Sequence, residues 1–158
     1  MASAPSHVRI ETIDADARLR TPYRGVATTS APILRMTISI APRGMLPCEV
    51  TIDVDDTSVE ICDHRGCFAV SAIDQLFVVE RQPPAWRFLT WFGVFARRRG
   101  RADRLLLETP DGRVARFVER TIEQRLGLRD EPVRGELLPA PQREDHPARL
   151  EEDDAVLR

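Results

Sequence analysis

Leu34-Arg35-Met36-Thr37-Ile38-Ser39-Ile40, followed by Cys48-Glu49-Val50-Thr51-Ile52-Asp53-Val54-Asp55, decides the fold. In both stretches apolar and polar side chains alternate. A period of two gives a strand one apolar and one polar face, the pattern of an antiparallel sheet with one side in water. Pro42-Arg43-Gly44 and Pro47 carry the turn between them. The next hairpin follows by register. Pairing Ile61 with Phe68 and Val59 with Val70 puts all four on one face and leaves Asp63-His64-Arg65-Gly66 as the connection. A loop one residue longer would turn Ala69 and Ser71 to the core instead. In this register Cys48 shares the apolar face of its strand, while Cys62 and Cys67 face the other side.

Working outward, Val8-Arg9-Ile10-Glu11-Thr12-Ile13 alternates and reads as one short strand in an otherwise flexible leader, residues 1–33. Downstream, Thr109-Pro110-Asp111-Gly112 has type I turn chemistry and predicts a second hairpin, with Leu105 opposite Phe117 and Leu107 opposite Ala115. Val118, Ile122 and Leu126 then recur every four residues, with Glu119, Arg120, Glu123, Gln124 and Arg125 turned outward. This spacing predicts a short C-terminal helix ended by a left-handed Gly127, with Leu128 folding back. About ten residues make a marginal helix alone, so this one must dock its stripe, plugging an open end of the curved sheet. Residues 129–158 hold nine acids, five Arg and four Pro without apolar periodicity. Residues 131–158 therefore read as a disordered acidic tail, and the folded unit as residues 34–130.

Composition bounds the function. A net charge of −2 over 158 residues argues against a dedicated nucleic-acid binder. All 23 basic residues are Arg, with no Lys and no Asn, the signature of GC-rich coding; the protein reads as bacterial. No apolar run reaches the roughly 20 residues that span a bilayer. The first residues lack a basic segment followed by an apolar one, so no secretory signal is expected. Three Cys then predict reduced thiols and a cytoplasmic location.

About seven sequential antiparallel strands followed by one helix resemble the bacterial pleckstrin-homology-like domains. The resemblance runs over residues 34–128. It is carried by the ladder Phe68, Val70, Ile73, Leu76 and Val78, by the hairpin-like Leu105-Leu106-Leu107-Glu108-Thr109-Pro110-Asp111-Gly112-Arg113, and by the helix end Ile122-Glu123-Gln124-Arg125-Leu126-Gly127-Leu128. It implies a mainly β fold: an antiparallel PH-like β-barrel capped by the helix. It also implies a non-enzymatic binding or adaptor module. Lipid-binding versions use a basic loop between the first two strands; here that loop offers only Arg43 and the strand after it is acidic.

Candidate chemistry is sparse. Cys48, Cys62, His64 and Cys67 are four potential zinc ligands, but thiols split between two faces of a sheet cannot meet at one ion, so no metal and no cofactor is expected. A Cys62–Cys67 bridge suits the hairpin geometry but is disfavoured in a reducing cytosol. His7, His64 and His146 lie in the leader, a turn and the tail. No nucleophile elbow, phosphate loop or His-Glu-x-x-His is present, and no enzyme activity is expected.

The segment from Trp86 to Arg101 stands out. It carries Trp86, Phe88, Trp91, Phe92 and Phe95, then Arg97, Arg98, Arg99 and Arg101. As a helix it would show an i, i+3, i+4, i+7 aromatic stripe; as a strand both its faces would be apolar. The segment reads either as a buried strand or lid packed on the barrel with solvated Arg after it, or, because aromatic and Arg side chains dominate binding hot spots, as a contact surface for another protein formed by these nine residues. Peripheral attachment to an anionic membrane is the alternative.

Overall fold

The computed structural model describes residues 7–14, 32–41, 46–82 and 90–137. They form eight strands and one helix: β1 (Val8–Ile13), β2 (Ile33–Ile40), β3 (Cys48–Val54), β4 (Ser58–Asp63), β5 (Gly66–Ser71), β6 (Gln75–Arg81), β7 (Trp91–Arg97), β8 (Arg104–Thr109) and α1 (Gly112–Leu126). The described residues are mainly β with one C-terminal helix.

Strands β1 to β5 form an antiparallel sheet in sequence order, and β6 to β8 form a second one. The first sheet follows the alternation. Met36 pairs with Ile10 and Ile52, and Ile52 pairs with Ile61, so one face is continuously apolar. Ile61 pairs with Phe68, Val59 with Val70 and Cys62 with Cys67, the register that the apolar positions require. The opposite face carries the row Glu11, Arg35, Asp53 and Glu60. There Arg35 donates two 2.8 Å hydrogen bonds to the buried Asp53.

The barrel expectation is overturned. Two open sheets replace a closed seven-stranded barrel. The sheets separate between β5 and β6, and the second predicted hairpin, over residues 104–117, is absent. β8 pairs back onto β7, with a bulge between Val94 and Phe95, and does not form a hairpin with residues 113–117. Thr109-Pro110-Asp111-Gly112 is a helix start. The Asp111 side chain accepts from the Arg113 N–H, and the Ala115 N–H bonds back to the Asp111 carbonyl. Burial works against the Asp111 charge, but the Arg113 N–H and guanidinium outweigh it and hold the carboxyl below its ordinary range. The helix is 15 residues long, because Val114 and Ala115 extend the stripe of Val118 and Ile122 by a turn. Its end is as expected: Gly127 has φ 66°, and the Leu128 N–H reaches the Glu123 carbonyl.

α1 packs chiefly on β6, β7 and β8, with a smaller contact to β3. It lies on the second sheet, and its stripe joins the inner face of the first in one core cluster. Two helix residues expected outside are buried: Glu119 is 1% exposed and Glu123 6%. The chain after the helix lies near this side. The Leu137 N–H donates to the Val78 carbonyl, Leu137 packs against the core, and Arg116 bridges Glu119 at 2.8 Å and Glu136 at 2.9 Å. No helix among the described residues is long and apolar enough to cross a membrane.

Candidate functional site

β7 is a strand, which settles the geometry of the Trp-Phe-Arg segment from residue 91 onward. Its alternation sends Phe92, Val94 and Ala96 to one side and Gly93, Phe95 and Arg97 to the other. Val94 and Ala96 are buried in the core, and Phe92 packs against it beside the start of α1. Trp91, first in the strand, also packs against the core.

Phe95 lies on the outer face. Its ring stacks on that of Phe77 of β6, with centroids 5.6 Å apart and planes 14° from parallel. Gly93 makes room for this: a Cβ there would come within 2.8 Å of the Phe95 ring and 3.2 Å of Leu105. Two guanidinium groups cover the pair. Arg97 sits 5.0 Å from the Phe77 centroid and Arg81 6.0 Å from that of Phe95, within cation–π range. Each Arg is fixed from the side by a carboxylate, Arg81 by Glu108 at 3.0 Å and Arg97 by Asp103 at 3.1 Å. The turn from β7 to β8 continues this basic surface. Arg99 and Arg101 are exposed, and Arg98 is half-buried with a 3.5 Å contact to the Ala102 carbonyl; Arg104, paired with Ala96, turns to the opposite side and lies over Phe68 at 4.5 Å.

Of the nine expected contact residues, Phe95, Arg97, Arg98, Arg99 and Arg101 therefore share one outer face and its adjoining turn. Trp91 and Phe92 contribute to the core, and Trp86 and Phe88 lie outside the described residues. Sequence reasoning missed Phe77, Arg81 and Glu108. The signal for them is the alternation of β6, which places Phe77, Val79 and Arg81 on the same face as Phe95 once β6 is paired with β7.

A second polar cluster lies under the C-terminal chain. Burial pushes the Glu123 carboxyl up to about 7, reinforced by the charges of Glu119, Asp130 and Glu136 and opposed by Arg116. Burial also raises Glu119, against the neighbouring Arg116. These acids do not converge on a common point. Among the described residues, one group of His, Cys, Asp and Glu donors lies close enough to share an ion: Glu60, Cys62 and Cys67. Cys62 and Cys67 are joined by a disulfide, where reduced thiols were expected, and Cys48 is free on the other face.

Compared with protein-family models, curated proteins and solved structures, the chain matches none of them. Together with the two open sheets, this removes the resemblance to pleckstrin-homology-like domains.

Proposed function

We propose that the protein is a non-enzymatic binding module that contacts an acidic surface of another protein through the outer face of β6–β8 and the β7–β8 turn. One observation carries this reading: Arg81 and Arg97 lie 6.0 and 5.0 Å from the centroids of the stacked Phe95 and Phe77 rings while paired with Glu108 and Asp103. Held guanidinium groups lose little further freedom on binding, so more of their interaction energy appears as affinity. The charge of the segment selects the partner: residues 81–104 contain seven Arg and one acid.

The test is charge reversal at Arg99→Glu with Arg101→Glu, two exposed side chains whose change leaves the core intact. The wild-type chain is expected to retain a partner from host lysate that the double variant loses, with both chains melting together. Retention of the same partner by the variant would overturn the reading. Salt-sensitive sedimentation with anionic vesicles would replace it with the membrane alternative.

A further inference from the structure

We propose that the reduced form of the β4–β5 hairpin is a thiophilic metal site, in which Cys62, Cys67 and Glu60 bind one Zn²⁺ or Cd²⁺ ion. This hairpin lies on the polar face of the other sheet, apart from the Arg and aromatic surface of β6–β8.

Cys62 and Cys67 face each other directly across the hairpin, with Cα atoms 4.1 Å apart, one pair before the His64-Arg65 turn. Glu60 lies two residues before Cys62 on the same face, and its Oε1 is 3.7 Å from the Cys62 Sγ. All three donor atoms lie within 4.8 Å of one another. A tetrahedral zinc with sulfur at about 2.3 Å and carboxylate oxygen at about 2.1 Å holds those two donors about 3.6 Å apart. Glu60 and Cys62 already have this separation. Two sulfurs on the same ion lie about 3.8 Å apart, a spacing that directly opposed cross-strand side chains reach by small χ1 rotations. Two thiolates and one carboxylate select a zinc-like ion over magnesium or calcium. Three protein donors leave the fourth position to water. Cys48 is excluded by the strand register, and His64 is not in the group.

The disulfide and the ion are mutually exclusive, because both use the same two sulfurs. Opening the site requires a thiol reductant. Its thiolate attacks the Sγ of Cys67, the more exposed of the pair, the S–S bond breaks, and Cys62 leaves as a thiolate. A second reductant thiol displaces the first as a small-molecule disulfide. In balance, the protein disulfide gains two electrons and two protons, and two reductant thiols become one disulfide. The ion then displaces the two thiol protons. Metal occupancy at this hairpin therefore reports the redox state of its surroundings.

The experiment titrates Cd²⁺ into the full chain after phosphine reduction and follows the sulfur-to-cadmium charge-transfer band. One equivalent is expected to saturate the band in the wild-type chain and in Cys48→Ser. No band is expected in the chain oxidised with diamide or in Cys62→Ser. Glu60→Gln is expected to weaken binding at least tenfold while leaving the melting temperature unchanged. Bound Zn²⁺ is expected to slow alkylation of Cys62 and Cys67. Absence of the band in the reduced wild-type chain, its loss in Cys48→Ser, or equal affinity in Glu60→Gln would overturn the proposal.

Discussion

Glu123 is a helix carboxylate on a face that the sequence pattern assigns to solvent. Its burial beside Glu119, Asp130 and Glu136, with Arg116 as the counter-charge, raises its pKa from 4.5 to about 7. The folded chain thus holds a proton there that the unfolded chain releases at lower pH. Between about pH 4.5 and about 7 the folded state binds more protons, so stability falls as pH rises through that window. The loss is at most about 3 kcal/mol. Glu123→Gln keeps the shape and removes the charge. We expect it to melt above the wild-type chain at pH 8, to match it near pH 4.5, and to lose this part of the pH dependence. An unchanged profile in thermal melts across that range would show that Glu123 is solvated. The position was not legible beforehand, because Glu119 and Glu123 look like ordinary outward residues until the chain beyond Gly127 packs near them.

At the scale of elements, strands were more legible than their ends. The alternation in residues 34–40 and 48–54 fixes faces, and the apolar positions of β4 and β5 admit one register. Thr109-Pro110-Asp111-Gly112 was ambiguous because its chemistry serves two purposes: Pro-Asp-Gly suits a turn between strands, and Asp followed by Gly also suits a helix start. The choice depends on whether Val114 and Ala115 find their partners across a hairpin or along a helix, and the second sheet supplies a surface for the helix. Asp111→Ala removes the side chain that accepts from the Arg113 N–H. It is expected to cost about 1 kcal/mol, read as a lower denaturation midpoint in urea. No change would favour the hairpin reading of this segment. The aromatic stretch was legible in the same partial way. Its strand form follows from β7 pairing on both sides, and the division between core (Phe92) and surface (Phe95) follows from the alternation.

At the scale of the whole molecule, closure of a sheet depends on contacts between distant strands, which periodicity in one stretch does not encode. A meander of sequential strands is equally the start of a barrel and half of a two-sheet packing. Here β5 and β6 part, and the helix and residues 128–137 occupy the second sheet. Glu136 and Leu137 tie that last chain to Arg116 and to the Val78 carbonyl, and Gln75 donates to the Glu131 carbonyl. Deleting residues 131–158 is therefore expected to lower the melting temperature by several degrees, from the loss of Leu137 packing worth about 1–2 kcal/mol. An unchanged melting curve would show that these contacts contribute nothing.

The two-sheet arrangement also gives the molecule two separate outer faces, one with Arg and aromatic rings and one carrying Glu11, Glu49, Asp53 and Glu60. The first is the surface proposed to meet a partner. Amide hydrogen exchange of the chain alone and in complex with its captured partner measures this directly. Protection is expected at residues 97–104 and along β8, with the amides of the β1–β5 sheet unchanged. Protection confined to β1–β5, with residues 97–104 exchanging as in the free chain, would contradict the account.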